Sequence, residues 1–159
     1  MKVLLQRVSS ASVCADGELS GSIGPGLVAL TGFGRNDSEK DLEWMACKMT
    51  GLRIFPDPRG NMNLSVCDIQ GEILLVSQFT LHADCRKGRR PSFMKAAPPE
   101  RAEMLFDLFT QMVAASGRRV QTGVFGAMMK VELVNDGPVT LMIDSPSRSE
   151  ERRVGKECA

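Results

Sequence analysis

One histidine, five cysteines without a CxxC spacing and almost no net charge are the first limits this 159-residue chain sets on its own chemistry. His82 alone cannot supply a zinc set, and Cys14, Cys47, Cys67, Cys85 and Cys158 are too scattered to build one, so neither a metal nor another cofactor is expected. Thiols flanked mostly by apolar residues read as small core residues in a reducing cytosol. No apolar run approaches the roughly 20 residues of a membrane helix, and no signal peptide opens the chain; a cytoplasmic protein without membrane contact is expected. The formal charge is +1 and falls to zero when residues 148–159 are set aside. Global charge therefore gives no argument for nucleic acid, and any RNA contact must come from local clustering. Repeats, low-complexity stretches and interdomain linkers are also missing, which leaves one domain large enough to bury its own core.

The elements that are present alternate in type. Residues 2 to 8, 11 to 14 and 19 to 23 read as short strands, with Asp16-Gly17 as a hairpin turn. Leu27 to Phe33 is a further strand behind the Gly24-Pro25-Gly26 turn. Ser38 opens a helix with Asp41 as its first-turn acid and Leu42, Met45, Met49 and Leu52 along one face. Strands at 62 to 67 and 72 to 80 read as a second hairpin around Gln70-Gly71. Pro98 and Pro99 start a second helix with the stripe Ala102, Leu105, Phe106, Phe109, Met112 and Val113, stopped by Gly117. Two last strands fall near 128 to 134 and 139 to 144. The segment from Arg148 to Cys158 is mostly charged and looks like the in-frame translation of a DNA-sequencing adapter. It is read as a non-native, disordered tail (148–159) on a domain of residues 1–147.

Two stretches resist explanation by packing. Ser77-Gln78-Phe79-Thr80 follows the apolar run Ile73-Leu74-Leu75-Val76 and brings hydroxyl and amide groups whose burial costs about 2 kcal/mol or more each unless they are hydrogen-bonded. Asn135-Asp136-Gly137-Pro138-Val139-Thr140 joins a glycine free to take positive φ to a proline that presents its backbone rigidly. By residue chemistry alone, the first is equally a strand end with internally bonded hydroxyls and the second a trans turn. His82, Asp84 and Cys85 crowd three reactive groups into four positions, where triad members must converge from different elements. His82 there reads as a partly exposed loop residue. Arg86, Lys87, Arg89 and Arg90, with Lys95 beyond, form the one dense basic run. A run of this kind is either a solvated loop or a phosphate contact.

These stretches, with Gln6-Arg7-Val8, Arg53-Ile54-Phe55, Met62-Asn63-Leu64, Arg90-Pro91-Ser92-Phe93 and Gln121-Thr122-Gly123 in order, resemble the D-aminoacyl-tRNA deacylases (the D-tyrosyl-tRNA deacylase family) over residues 1 to about 145. The resemblance implies an α/β single domain in three β/β/α layers, with mixed sheets and two main helices. It implies a homodimer that hydrolyses the ester of D-aminoacyl-tRNA, with Ser77, Gln78, Phe79 and Thr80 as the catalytic set. Their backbone N–H groups would hold the oxyanion, at about 2.7–4 kcal/mol per donor, while the 2′-hydroxyl of the terminal adenosine assists. Thr80 as direct nucleophile is the weaker variant, because no base stands ready to take its proton. Gly137-Pro138 would be cis and reach into the partner's site as a backbone wall that rejects L-aminoacyl esters and admits D ones. Glycyl-tRNA mischarged on alanine tRNA would pass as well. Arg7 is expected to hold the carbonyls of that wall, or else to be a surface charge pair. Met129 lines the amino-acid pocket or fills core. Arg86, Lys87, Arg89 and Arg90 are weak candidates for the tRNA end. Asn61 stands where a Lys before Met62 is expected, removing one phosphate contact. The alternatives are a non-catalytic tRNA acceptor-end binding module and a hydrolase using Cys85 and His82.

Overall fold

The computed structural model describes residues 1–147 and Glu150; the suspected tail lies outside them apart from Glu150. Its elements are β1 (Lys2–Ala15), β2 (Glu18–Ile23), β3 (Gly26–Gly32), α1 (Glu39–Gly51), β4 (Phe55–Pro56), β5 (Met62–Leu64), β6 (Glu72–Ser77), a 3-10 turn (Phe79–His82), α2 (Pro99–Ala114), β7 (Val120–Thr122) and β8 (Met129–Asp144). Six strands make one mixed sheet in the order β2-β1-β3-β6-β7, with β8 on the free side of β1. The sheet curls until its ends meet: Ser20 Oγ of β2 donates to the Thr122 carbonyl of β7 at 2.8 Å. Val8, Ala11, Val13, Ile23, Val28, Leu74 and Val76 fill the space inside the curl. The opposite face carries α1 and α2 over a larger core that includes Leu5, Leu42, Met45, Met49, Ile73, Leu75 and Phe109. The expected α/β domain with two helices and β/β/α layering is therefore observed, both β layers coming from one wrapped mixed sheet.

Local signals behave as their chemistry requires. Asp16 and Gly17 take φ of 51° and 85° between the paired Ala15 and Glu18, the two-residue turn whose twist suits a hairpin. Asp41 closes the start of α1 by accepting from Ser38 N–H at 2.8 Å and Ser38 Oγ at 3.1 Å. The stripe of α2 buries Ala102, Leu105, Phe106, Phe109 and Val113.

Four expectations need correction. The strands 2–8 and 11–14 are one strand, bulged against β8 around Val8, because β8 accompanies β1 along its whole length. The last two strands are likewise one element, from which residues 136–139 swing out between the pairs Val8↔Asn135 and Gln6↔Thr140. Strand 62–67 ends at Leu64 and pairs with Phe55–Pro56, so it forms no hairpin with β6. Ser65 and Asp68 instead bond reciprocally in a turn (Ser65 N–H to Asp68 Oδ2 2.8 Å, Asp68 N–H to Ser65 Oγ 3.1 Å). Finally, β6 stops at Ser77 and runs parallel to both β3 and the unforeseen β7.

Candidate active site

Thr31 of β3 and Ser77 of β6 are paired where the parallel ladder ends. Gln78 N–H donates to the Thr31 carbonyl at 2.7 Å, which anchors the chain as it leaves the sheet. The 3-10 turn then begins, carrying exposed Phe79 and Thr80. The first N–H groups of a helical turn have no acceptor within it, so Phe79 and Thr80 present theirs at the strand end, whereas that of Gln78 is spent on the sheet. Gln78 Nε2 donates to Thr80 Oγ1. The half-buried Ser77 hydroxyl bonds no group among the described residues. Internal bonding thus accounts for Thr80 and not for Ser77. Phe79 leans edge-on against Phe93, with ring centroids 5.1 Å apart.

Met129 packs against the cluster inside the curled sheet that includes Val76, the neighbour of Ser77. A Cβ on Gly123 would stand 2.5 Å from Met129 Sδ, and Gly123 N–H donates to the Leu75 carbonyl at 3.1 Å. Met129 is half-buried against that core, at the end of the barrel where β6 stops.

Arg7 pairs with the exposed Asp136 carboxylate, Nε to Oδ2 3.7 Å, but from a buried position rather than the surface. It is 9% exposed, donating from Nη1 to the Ile54 carbonyl at 2.6 Å and from Nε to the Asp136 carbonyl at 3.0 Å. The planar fork ties β1 to the residue preceding Gly137. Gly137-Pro138 is cis, with Gly137 at φ +123°, and both residues are exposed. Asn135 braces the far side, accepting from Val139 N–H at 3.2 Å and donating to Thr140 Oγ1 at 2.8 Å.

The register keeps these two groups apart within one chain. Ser77 lies level with Val3 through Thr31, while residues 136–139 lie opposite Arg7 on the far side of β1. Four residues along the strand and three strand widths across separate them, about 13 Å and about 14 Å.

Arg86, Lys87, Arg89 and Arg90 sit on a loop closed by reciprocal Asp84 and Ser92 backbone bonds of 2.8 and 2.9 Å. Arg86 is held by Asp84 at 2.5 Å, and that guanidinium, with the Arg86 backbone N–H, keeps the Asp84 carboxyl far below the usual carboxylate range. Lys87, Arg89 and Arg90 are exposed and form no ion pair among the described residues. His82 departs from expectation: it is buried, because its ring packs under the turn against β3. It makes no hydrogen bond to the exposed Cys85 thiol. The arrangement required of a cysteine hydrolase is therefore absent among the described residues. Those residues also hold no group of three or more His, Cys, Asp or Glu side chains fit for a metal, and no helix long and apolar enough to cross a membrane.

The family model described as D-Tyr-tRNA(Tyr) deacylase matches residues 4–144. A D-aminoacyl-tRNA deacylase of Desulfitobacterium hafniense is 58% identical over 145 residues, 91% of this chain and 97% of the relative. One of Thermotoga petrophila is 52% identical over the same shares. Among solved structures, a c-Myc DNA Unwinding Element Binding Protein superposes with a TM-score of 0.87 at 42% identity, covering 92% of this chain and 100% of that one. A structure described as a probable eukaryotic D-amino acid tRNA deacylase shares the fold at a TM-score of 0.78 and 20% identity, over 89% and 97% of the two chains. By the match of nearly the whole domain, this chain belongs to the D-Tyr-tRNA(Tyr) deacylase family, and with it to the hydrolases that cleave the ester bond of aminoacyl-tRNA.

Proposed function

We propose that this enzyme edits tRNA by hydrolysing D-aminoacyl esters and sparing L-aminoacyl ones, in a homodimer whose two sites are each built from both chains. The observation that carries the reading is the pairing of a donor-rich strand end at Ser77–Thr80 with a separately braced backbone wall at Gly137-Pro138, in a chain at least half identical to named deacylases. Water adds to the ester carbonyl, the bond to the ribose oxygen breaks, that oxygen takes a proton, and the amino acid and tRNA separate. Phe79 and Thr80 N–H groups, with the free Ser77 hydroxyl, receive the charge that builds on the carbonyl oxygen. The 2′-hydroxyl of the terminal adenosine assists the attack, since His82, the one imidazole of the turn, is buried with its ring against Gly32 and Gly34.

Rejection of L substrates rests on rigid backbone occupying the space an L side chain needs. Glycine has nothing to clash there, so glycyl-tRNA, including glycine mischarged on alanine tRNA, is a substrate too. The separation of the wall from Ser77 within one chain supports delivery of the wall by a second copy. The edge strand β8 has its outer side unpaired among the described residues and exposes Val131, Val134 and Met142, a surface that favours being covered. Lys87, Arg89 and Arg90, on the loop that follows the turn, suit the phosphates of the tRNA end.

Deacylation of matched D- and L-tyrosyl-tRNA in chelator-containing buffer tests the proposal. Release of the D-amino acid alone is expected. Release of both would remove the chiral wall, and release of neither would favour the non-catalytic acceptor-end binding module.

A further inference from the structure

His82 is the chain's one imidazole, and the reaction above does not use it. It ends the 3-10 turn, is 9% exposed and has a buried Nε2 without a hydrogen-bond partner. Its ring stands edge-on to the end of β3. A Cβ on Gly32 would lie 3.1 Å from His82 Cδ2, and one on Gly34 would lie 3.3 Å from Cε1. Nε2, bonded to both carbons, therefore faces the Gly32–Gly34 backbone. The same Gly32 position would meet the Gln78 carbonyl oxygen at 2.8 Å and Leu81 Cβ at 3.2 Å, so the whole turn is seated on this glycine.

The charged groups around the seat come from several elements. Asp37, in the segment before α1, accepts from Gly34 N–H at 2.5 Å and from the Met1 amine of β1's start at 2.7 Å. Arg101 of α2 donates to the Asp37 carbonyl at 2.6 Å. Asp84, two residues beyond His82, is engaged by Arg86 and Lys95. A proton on Nε2 would make it a charged donor with no acceptor in place among the described residues. A buried cation without a partner is costly, so the charged ring is expelled from its seat. The turn loosens with it, because the Gln78 carbonyl and Leu81 rest on the same Gly32 as the ring.

We infer that His82 is a positioning residue: its neutral ring, seated on Gly32 and Gly34, sets the Phe79–His82 turn, and protonation unseats the turn together with the Phe79 and Thr80 N–H groups. The consequence for activity rests on the role given above to those two N–H groups; the coupling of imidazole to turn does not.

An NMR titration of the full chain from pH 7.5 to 5.5 tests the coupling, because a single histidine gives a single imidazole signal. The Gly32, Phe79 and Thr80 amides are expected to shift with the same midpoint as the imidazole, and to stay still in His82→Leu. His82→Asn, polar and non-titrating, replaces that variant if leucine does not fold. In parallel, the ratio of wild-type to variant single-turnover rates on D-tyrosyl-tRNA is expected to fall with the midpoint that the imidazole signal itself shows. An imidazole that titrates while those amides stay still, amides that move alike in the variant, or parallel pH–rate profiles would each overturn the inference. Absence of deacylation at every pH would instead strike the functional reading, and the amide titration would still decide the coupling.

Discussion

Gly137 shows how one residue can carry a geometric requirement. At φ +123° an L side chain is strained, and a Cβ would lie 2.7 Å from Arg7 Nη2 and 3.0 Å from Val139 Cγ2. Gly137→Ala therefore pushes on the guanidinium that holds the Asp136 carbonyl. The expected outcome is a protein with unchanged circular dichroism whose D-to-L rate ratio on tyrosyl-tRNA drops about tenfold or more, a loss of about 1.4 kcal/mol in discrimination. An unchanged ratio would mean that this backbone does not read chirality. At the same scale, the residue type and the family pattern pointed Arg7 at the carbonyls of Gly137-Pro138, whereas the carbonyls it reaches are those of Asp136 and Ile54. The burial of His82 was not legible, since nothing local to His82-Ala83-Asp84 announces the two glycines, Gly32 and Gly34, on which it rests.

Among elements, the β3–β6 pair is the most demanding. A Cβ on Gly26 would come within 1.8 Å of the Glu72 carbonyl oxygen, so these strands approach only because residue 26 has no side chain. Gly26→Ala is expected to destabilise the fold by about 1–3 kcal/mol, as overpacking does, with a lower midpoint in urea. Because β6 delivers Ser77 to its place, deacylation should fall with it. The Gly24-Pro25-Gly26 turn was readable in sequence; its partner was not. Parallel pairing places Gly26 against a residue 46 positions along, a distance no window of local periodicity spans. The same reason explains the missed β7, three half-buried residues without a strong pattern, and the supposed hairpin of 62–67 with 72–80. Both helices, by contrast, were legible because their apolar stripes and first-turn residues lie within a few positions of one another.

For the molecule as a whole, the two halves of the site yield a mixing experiment. If each site takes its turn from one chain and its wall from the other, Thr80→Pro chains, which lack that N–H donor, co-refolded with unselective Gly137→Ala chains form mixed dimers with one site free of both changes. Random mixing then makes about half of the active sites selective, so the D-to-L rate ratio of the mixture should rise about twofold above that of Gly137→Ala alone. No rise would return the whole site to a single chain.

Stability should also follow the carboxylates. Asn61 N–H on Asp57, Ser65 N–H on Asp68, the Arg119 guanidinium on Glu72 and the Arg86 guanidinium on Asp84 all lower the folded-state values. The unfolded chain then takes up protons first, so their contribution is fully present above about pH 5 and is lost as pH falls through about 4 and below. Tm measured against pH should be flat in these groups above 5 and decline in acid; a decline already complete at pH 5 would contradict this.

By itself, the sequence determined whatever depends on neighbours: the Asp16-Gly17 turn, the Ser38 and Asp41 helix start, the two apolar helix faces, and the residue types at Ser77–Thr80 and Gly137-Pro138. Tertiary structure alone decided which strands lie side by side, that residues 136–139 leave β8 opposite Arg7, that His82 is buried, and that the strand end and the wall stand apart within one chain. The reason is physical. Turns and helix ends are set by bonds among residues a few positions apart, whereas strand order and register arise from contacts between distant residues whose individual preferences do not specify one another.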